Sequence, residues 1–283
     1  MQQRRDPGHA GPAPSAGAAT PPVPEMPSAF WGRTADAPAG LSIVQLIDSG
    51  DLDARTAALA WLTLERHGSV LIAALPQRAG KTTLLGALLD LLPPSPARVH
   101  LAGDAETFAF LGKNAPNDTL LVANELSSHL PIYLWGAQAI RAFEAVAGGY
   151  AIAGTLHADS AEGAIALLRD DCGIPAAQLA RIDLIVVITV VGEGERITAR
   201  RVSGAYRTLP GTAGPGTKPL VEWDPATERW RHEPDDESAL AGPQLDPRAA
   251  FLTDLARRGI RGSAAVRAAV ADFHLEHKNG DRR

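Results

Sequence analysis

Between residues 69 and 92 a β-branched apolar run, SVLIAAL, passes through a short loop into Gly80-Lys81-Thr82-Thr83. A second apolar run, KTTLLGALLDLL, then stops at Pro93-Pro94. The first run has the composition of a buried strand and the second that of a helix ended by proline. A strand, a tight loop and a helix opening on Gly-Lys-Thr is the setting of a phosphate-binding loop. There the free N–H groups of a helix N-terminus meet phosphate oxygens. In that role Lys81 reaches the β- and γ-phosphates and the Thr82 hydroxyl ligates Mg2+. The other reading is an exposed Gly-Lys-Thr-Thr that opens a helix in some other α/β protein.

The first half of the loop departs from G-x-x-x-x-G-K-[ST], which asks for glycine where this chain has Leu75, followed by Pro76. Glycine is used where backbone adopts positive φ or approaches a ligand closely, and another residue held there costs roughly 1–3 kcal/mol. A residue before proline is biased toward extended geometry. The expectation is a strand running one residue longer, a loop entered differently, and weaker binding rather than none. The candidate nucleotide contacts are Pro76, Gln77, Arg78, Ala79, Gly80, Lys81, Thr82 and Thr83.

The 283 residues suffice for one large domain or two small ones, and 45% apolar content supports a sizeable core. A net charge of -5 gives no global reason to expect nucleic-acid binding. Cys172 is the single cysteine, which excludes an internal disulfide and a multi-cysteine zinc site. The longest apolar stretch, IDLIVVITVV at 182–191, is too short to span a bilayer as a helix and reads as a buried strand. No signal-peptide core follows the N-terminal charges. The expected localisation is cytoplasmic.

Residues 1–40 are rich in Pro, Ala and Gly and are expected to be disordered. LSIVQLIDSG and DARTAALAWLTLERHG read as two amphipathic helices, with Asp51 or Asp53 at the second N-terminus. Further strands are expected at 97–103, 119–124, 150–156 and 183–191, and helices at 131–149 and 160–171. Apolar strands alternating with helices argue for a mostly parallel sheet covered on both faces. ITARRVSGAYRTL and PLVEWDPATERWRHE read as a hairpin turning at 224–227. Two closing helices follow, the first with Asp246 as N-cap and Pro247 at its first position.

LLVANE, residues 120–125, has the form of a Walker B strand, an apolar run delivering an acid; Glu125 either serves a nucleotide site or is a solvent-facing strand end. AGGYAIAGTLHADSAEGAIALL, residues 147–168, then resembles the "His box" of the secretion and pilus-assembly ATPases of type II and type IV secretion, type IV pili and Flp-type pili. Gly148, Gly149, Thr155, Leu156, His157, Ala158, Ser160 and Ala161 fall in register with it. PPSPARVHLAGDAETF looks like that family's Asp box, with Asp104 and Glu106 as its acids. The resemblance covers roughly residues 41–278.

This resemblance implies a RecA-like P-loop NTPase domain: a helical lead-in at 41–68, a nucleotide-binding core at 69–191, and a C-terminal hairpin with helices at 192–278. It implies ATP and Mg2+ as ligands, with Thr82 on Mg2+ and Glu125 supporting the ion indirectly. Glu125, Asp104, Glu106 and His157 become the catalytic candidates, the acids to orient water and His157 to couple nucleotide state to its surroundings. It implies a homo-oligomeric ring, or a hetero-oligomer with a subunit supplying arginines. Partners would be inner-membrane components of a secretion or pilus machine, giving a peripheral position at the inner face of the membrane. No direct nucleic-acid partner is expected.

The departures are several. Leu75, Pro76 and Arg78 stand where the family is glycine-rich, Asn124 replaces the Walker B glycine, Ser127-Ser128 the Arg-Asp pair, and Tyr150 the first His-box histidine. The family's N-terminal domain, a source of site arginines, has no counterpart in residues 1–68. Arg200, Arg201 and Arg207 are the candidates left for closing a neighbour's site. Two readings follow: an ATPase motor subunit, or a non-catalytic relative keeping the fold. A small-molecule P-loop kinase would leave the His box unexplained.

Overall fold

The computed structural model describes residues 40–193, 196–211 and 215–280. Almost all of the 1–40 tail lies outside the described residues. The chain order is α1 (Ile43–Asp48), α2 (Ala54–Glu65), β1 (Ser69–Ala73), α3 (Lys81–Leu89), β2 (Ala97–His100), β3 (Thr119–Leu126), α4 (Gly136–Ala147) and β4 (Ala151–Leu156). It continues with α5 (Ala161–Ala166), α6 (Ala176–Leu179), β5 (Ile182–Glu193), β6 (Arg196–Leu209), β7 (Gly216–Asp224), β8 (Arg229–His232), α7 (Pro234–Ala241), α8 (Leu245–Arg257) and α9 (Ser263–Gly280).

One eight-stranded sheet runs β2-β3-β4-β1-β5-β6-β7-β8. The first five strands in that order are parallel. The last three extend the sheet antiparallel from β5. β1 is flanked by β4 and β5, and β4 separates it from β3. The carboxyl ends of β1 and β3 therefore open on one crevice, where α/β sheets bind ligands. The α/β class, the mostly parallel sheet and the C-terminal hairpin are as the sequence implies, and the architecture is that of a RecA-like P-loop domain.

The strands are buried on both faces, so successive residues feed different cores. Val70 and Ile72 pack with α2, α3, α8 and α9. Leu71 and Ala73 pack with α4 and α5 on the opposite face. α1 opens on a capping box, Ser42 accepting from the Gln45 N–H while the Gln45 side chain accepts from the Ser42 N–H. α2 is capped by Asp53, whose carboxylate accepts from the Thr56 N–H. Trp61 on α2 is fully buried, its ring 5.5 Å from that of Phe273 and 5.1 Å below the Arg248 guanidinium. Arg248 forks onto both oxygens of Glu65 at 2.7 and 3.0 Å. The lead-in and the closing helices thus share one core.

Several boundaries move. β1 ends at Ala73 rather than reaching Leu75, which is 58% exposed. β2 stops at His100 because Gly103 takes a φ of +61 and starts a tight turn. The helix expected over 160–171 is α-helical only to Ala166 and passes into a π-turn at Leu167–Asp171. Asp246 does not cap α8: the helix starts at Leu245, with Asp246 in its first turn paired with Arg55. α6 and α7 are short additions that sequence periodicity leaves unmarked.

A partly buried ionic cluster around the fully buried Glu237 clamps β8 and α7 to the start of α2. His232 Nδ1 lies 2.6 Å from Glu237 and Nε2 lies 2.8 Å from Asp53, while Arg55 donates to Glu237 at 2.7 Å. Burial alone would lower the imidazole pKa, but the bonds and charges of Asp53 and Glu237 outweigh it and push it up to about 9. A histidine raised above its unfolded value stabilises the fold fully below about pH 6.5, and loses that contribution as pH rises through about 9. Unfolding free energy is expected to fall by about 2–3 kcal/mol between about pH 6 and pH 10. Denaturant melts of His232→Asn across that range should show most of the slope removed.

Candidate functional site

The segment between β1 and α3 turns tightly because Arg78 and Gly80 take left-handed φ values of +61 and +93. Gly80 is the N-cap of α3, which begins at Lys81. Two left-handed residues within three positions curl the chain around the helix N-terminus, as an anion cradle requires. Leu75 and Pro76 are not at positive φ, so the glycine they replace is not demanded by local backbone geometry; the strain expected at Leu75 falls instead on Arg78. Arg78→Gly should raise stability by up to about 1 kcal/mol, whereas Leu75→Gly should lower it by a similar amount. Thermal melts of the two variants check this.

Lys81 is buried, its ammonium 3.2 Å from the Ala74 carbonyl, 3.3 Å from His157 Nδ1 and 3.9 Å from Glu125. Burial pulls its pKa down, opposed in part by the Glu125 charge. Glu125 stands near the end of β3 and is also buried. Its Oε1 lies 3.1 Å from His157 Nε2, yet no well-aligned hydrogen bond reaches that oxygen. His157 follows β4, and its Nδ1 is 3.1 Å from the Leu75 carbonyl. Strand order thus brings the ends of β1, β3 and β4 together and sets Lys81, Glu125 and His157 in contact.

These three line a cavity of about 500 Å3 with Gln77, Arg78, Ala79, Gly80, Thr82 and Asn124. The far wall is the loop after β3, which supplies His129, Leu130, Ile132 and Tyr133. That loop is hooked back onto β3 by Leu134 N–H to the Glu125 carbonyl (2.8 Å) and Ser127 N–H to the Leu134 carbonyl (3.2 Å). A second cavity of about 340 Å3 lies on the other side of the β1–α3 loop. It shares Arg78, Ala79, Gly80 and Thr82, adds Thr83, and is otherwise lined by Leu41, Leu46, Leu52, Leu84, Ile188 and Val202 with Asp51 and Arg200 at its polar edge.

Of the sequence candidates, Pro76 lines neither cavity. Asp104 and Glu106 line neither as well. The Glu106 carboxylate is spent on its own turn, accepting from the Ala102 and Phe108 N–H groups. Arg200 does not point away to a neighbouring copy; its guanidinium donates twice to the Arg78 carbonyl, at 3.2 Å each, and braces this chain's own loop. Arg201 pairs with Glu228 at 2.8 Å. Tyr150 is a core residue whose hydroxyl donates to the Asn114 carbonyl, and its ring meets Phe110 edge-on. His129 and Tyr133 were not sequence candidates. The cue was a histidine four residues beyond the acid, but on an aperiodic loop nothing fixes its direction.

The groups present fit a nucleotide-bound Mg2+: Thr82 lines the cavity and a buried carboxylate oxygen of Glu125 lacks an aligned donor.

No family model matches the chain. It is similar to an uncharacterized protein of Methanocaldococcus jannaschii, 25% identical over 239 residues, covering 73% of this chain and 40% of that one. The chain therefore spans well under half of that relative's length. Among solved structures it is similar to the VirB11 ATPase of the Brucella suis type IV secretion system in complex with sulphate, at 18% identity and a TM-score of 0.38, covering 64% of this chain and 62% of that one. It is also similar to the ATPase DotB of Legionella pneumophila, at 14% identity and a TM-score of 0.34, covering 75% and 57%. The fold assignment rests on the chain's own strand order and loop geometry. Among the described residues no helix is long and apolar enough to cross a membrane.

Proposed function

We propose that this chain binds ATP with Mg2+ at the β1–α3 loop and hydrolyses it slowly, as an ATPase subunit of a pilus-assembly or protein-secretion machine. The observation that carries the reading is the contact set at one crevice: Lys81 at the helix N-terminus, Glu125 from β3 and His157 from β4. The larger cavity suits the phosphates. The apolar cavity across the loop, with Thr83 and Arg200 at its rim, suits the base and ribose.

In this reading the helix N-terminus and the loop between Gln77 and Gly80 bind phosphate oxygens, and Lys81 leaves the Ala74 carbonyl to meet the terminal phosphate. Thr82 would hold Mg2+ directly and Glu125 through water; the ion offsets phosphate charge when bound. Glu125 orients the attacking water. His157, in contact with both Lys81 and Glu125, senses whether the lysine is engaged. The proposed assembly is a ring of copies, or a complex with a subunit that supplies arginines to the site, at the cytoplasmic face of a membrane.

The second reading, a non-catalytic relative, is favoured by two features. Lys81, Glu125 and His157 are already in mutual contact, and Arg200 is committed to the loop rather than to a neighbour. A charge missing from the transition state is worth orders of magnitude in rate. The purified chain is therefore expected to release phosphate from ATP slowly and to sediment as a monomer or small oligomer. Phosphate release above that of Lys81→Ala supports the catalytic reading. Equal rates favour the non-catalytic one, and a stable hexamer with brisk turnover contradicts the need for a partner.

A further inference from the structure

We propose that Glu125, His129 and His157 form, in the nucleotide-free chain, a binding site for a first-row divalent transition metal of the Zn2+ type, which shares Glu125 with the proposed nucleotide-bound Mg2+ and is distinguished from it by its two imidazole ligands. One donor atom from each residue lies within 4.8 Å of the others. A tetrahedral zinc site with metal–nitrogen bonds of 2.0–2.1 Å sets its donors about 3.4 Å apart. Glu125 Oε1 and His157 Nε2 already stand at 3.1 Å. Only His129, exposed on the loop after β3, has to move in.

Three observations beyond proximity point to a cation. Glu125 is 7% exposed, and its Oε1 is buried without an aligned hydrogen-bond donor. Both imidazoles have outer partners on Nδ1, the Leu75 carbonyl at 3.1 Å for His157 and the Ser127 hydroxyl at 2.6 Å for His129. Metal-bound histidines are held in this way, with the second ring nitrogen bonded to an outer group so that the first faces the ion. The rings lie edge to face with centroids 5.6 Å apart, close enough for both to reach one ion. His157 Nδ1 is also 3.3 Å from Lys81. In the metal-bound form Nδ1–H donates to Leu75, and Lys81 keeps the Ala74 carbonyl, 3.2 Å away.

Two imidazoles and one carboxylate suit Zn2+, Co2+ or Ni2+, whereas Mg2+ and Ca2+ take oxygen donors. Three protein ligands leave a fourth position open toward the cavity, for water or an anion oxygen.

The test uses the full chain without nucleotide, so its outcome is independent of ATP binding. Titration with Co2+, followed by visible absorption, should show saturable uptake of about one equivalent, reversed by competing Zn2+. His129→Ala should weaken uptake at least tenfold, as should His157→Gln. Because His129 is exposed, its removal should leave the thermal melt unchanged. Lys81→Ala should still bind Co2+. No saturable Co2+ uptake by the wild type, or equal uptake by His129→Ala, would overturn the site.

Discussion

Lys81→Ala is expected to lose MgATP affinity by a factor of about 100 or more while the chain still folds. The Lys81 side chain is 6% exposed and lies at the crevice formed by the ends of β1, β3 and β4. Burial has already lowered its pKa, so it gives up little hydration on meeting a phosphate. A charge-assisted bond of that kind, with its long-range attraction, is worth roughly 3 kcal/mol, and each 1.4 kcal/mol is tenfold in affinity. Folding is expected to survive because Lys81 lines the crevice and belongs to neither apolar core. Lys81→Arg should not restore binding, since a planar guanidinium does not fit a site shaped around a compact ammonium between Ala74 and His157. Equilibrium binding of labelled ATP to the three proteins checks both statements.

The second large effect is on stability. Gly103→Ala is expected to cost about 3–4 kcal/mol, joining the strain of a left-handed alanine to a backbone overlap. A Cβ at Gly103 would stand 2.2 Å from the Pro131 carbonyl oxygen and 2.5 Å from the Ile132 carbonyl carbon. Those are main-chain atoms and cannot rotate away. They belong to the loop that carries His129 and Tyr133, so the same change should also displace the far wall of the larger cavity. Gly112→Ala is the matched control. Its φ of +75 is equally left-handed, but an added Cβ meets nothing within 4 Å, so only about 1 kcal/mol should be lost. Denaturant midpoints for the pair separate overlap from strain.

What the sequence makes legible follows from how local the cause is. β1, β3, β4 and β5 are readable because each is apolar on both faces, which a strand buried between two layers requires. The cap at Asp53, one of two candidates with Asp51, is readable because donor and acceptor lie three residues apart. The end of β1 is misjudged because it depends on His157, which draws the Leu75 carbonyl out of line from 82 residues away. Arg200 bracing Arg78 spans 122 residues, and no spacing rule could pair them. Glu106 has the right charge in the right segment, yet two backbone N–H groups four residues back and two ahead claim it first. His129 enters the cavity only because Leu134 ties its loop to Glu125, a hydrogen bond with no sequence signature.

The proposed phosphate-binding site is built on Arg78, Gly80 and Lys81 with Glu125 and His157 opposite. Its most direct test is calorimetric titration of the wild-type chain with ATP, with and without Mg2+. The expected result is one saturable site with a dissociation constant of tens of micromolar or weaker, tighter in the presence of Mg2+. An absence of binding heat at millimolar ATP, with the chain shown folded by its melt, would contradict it.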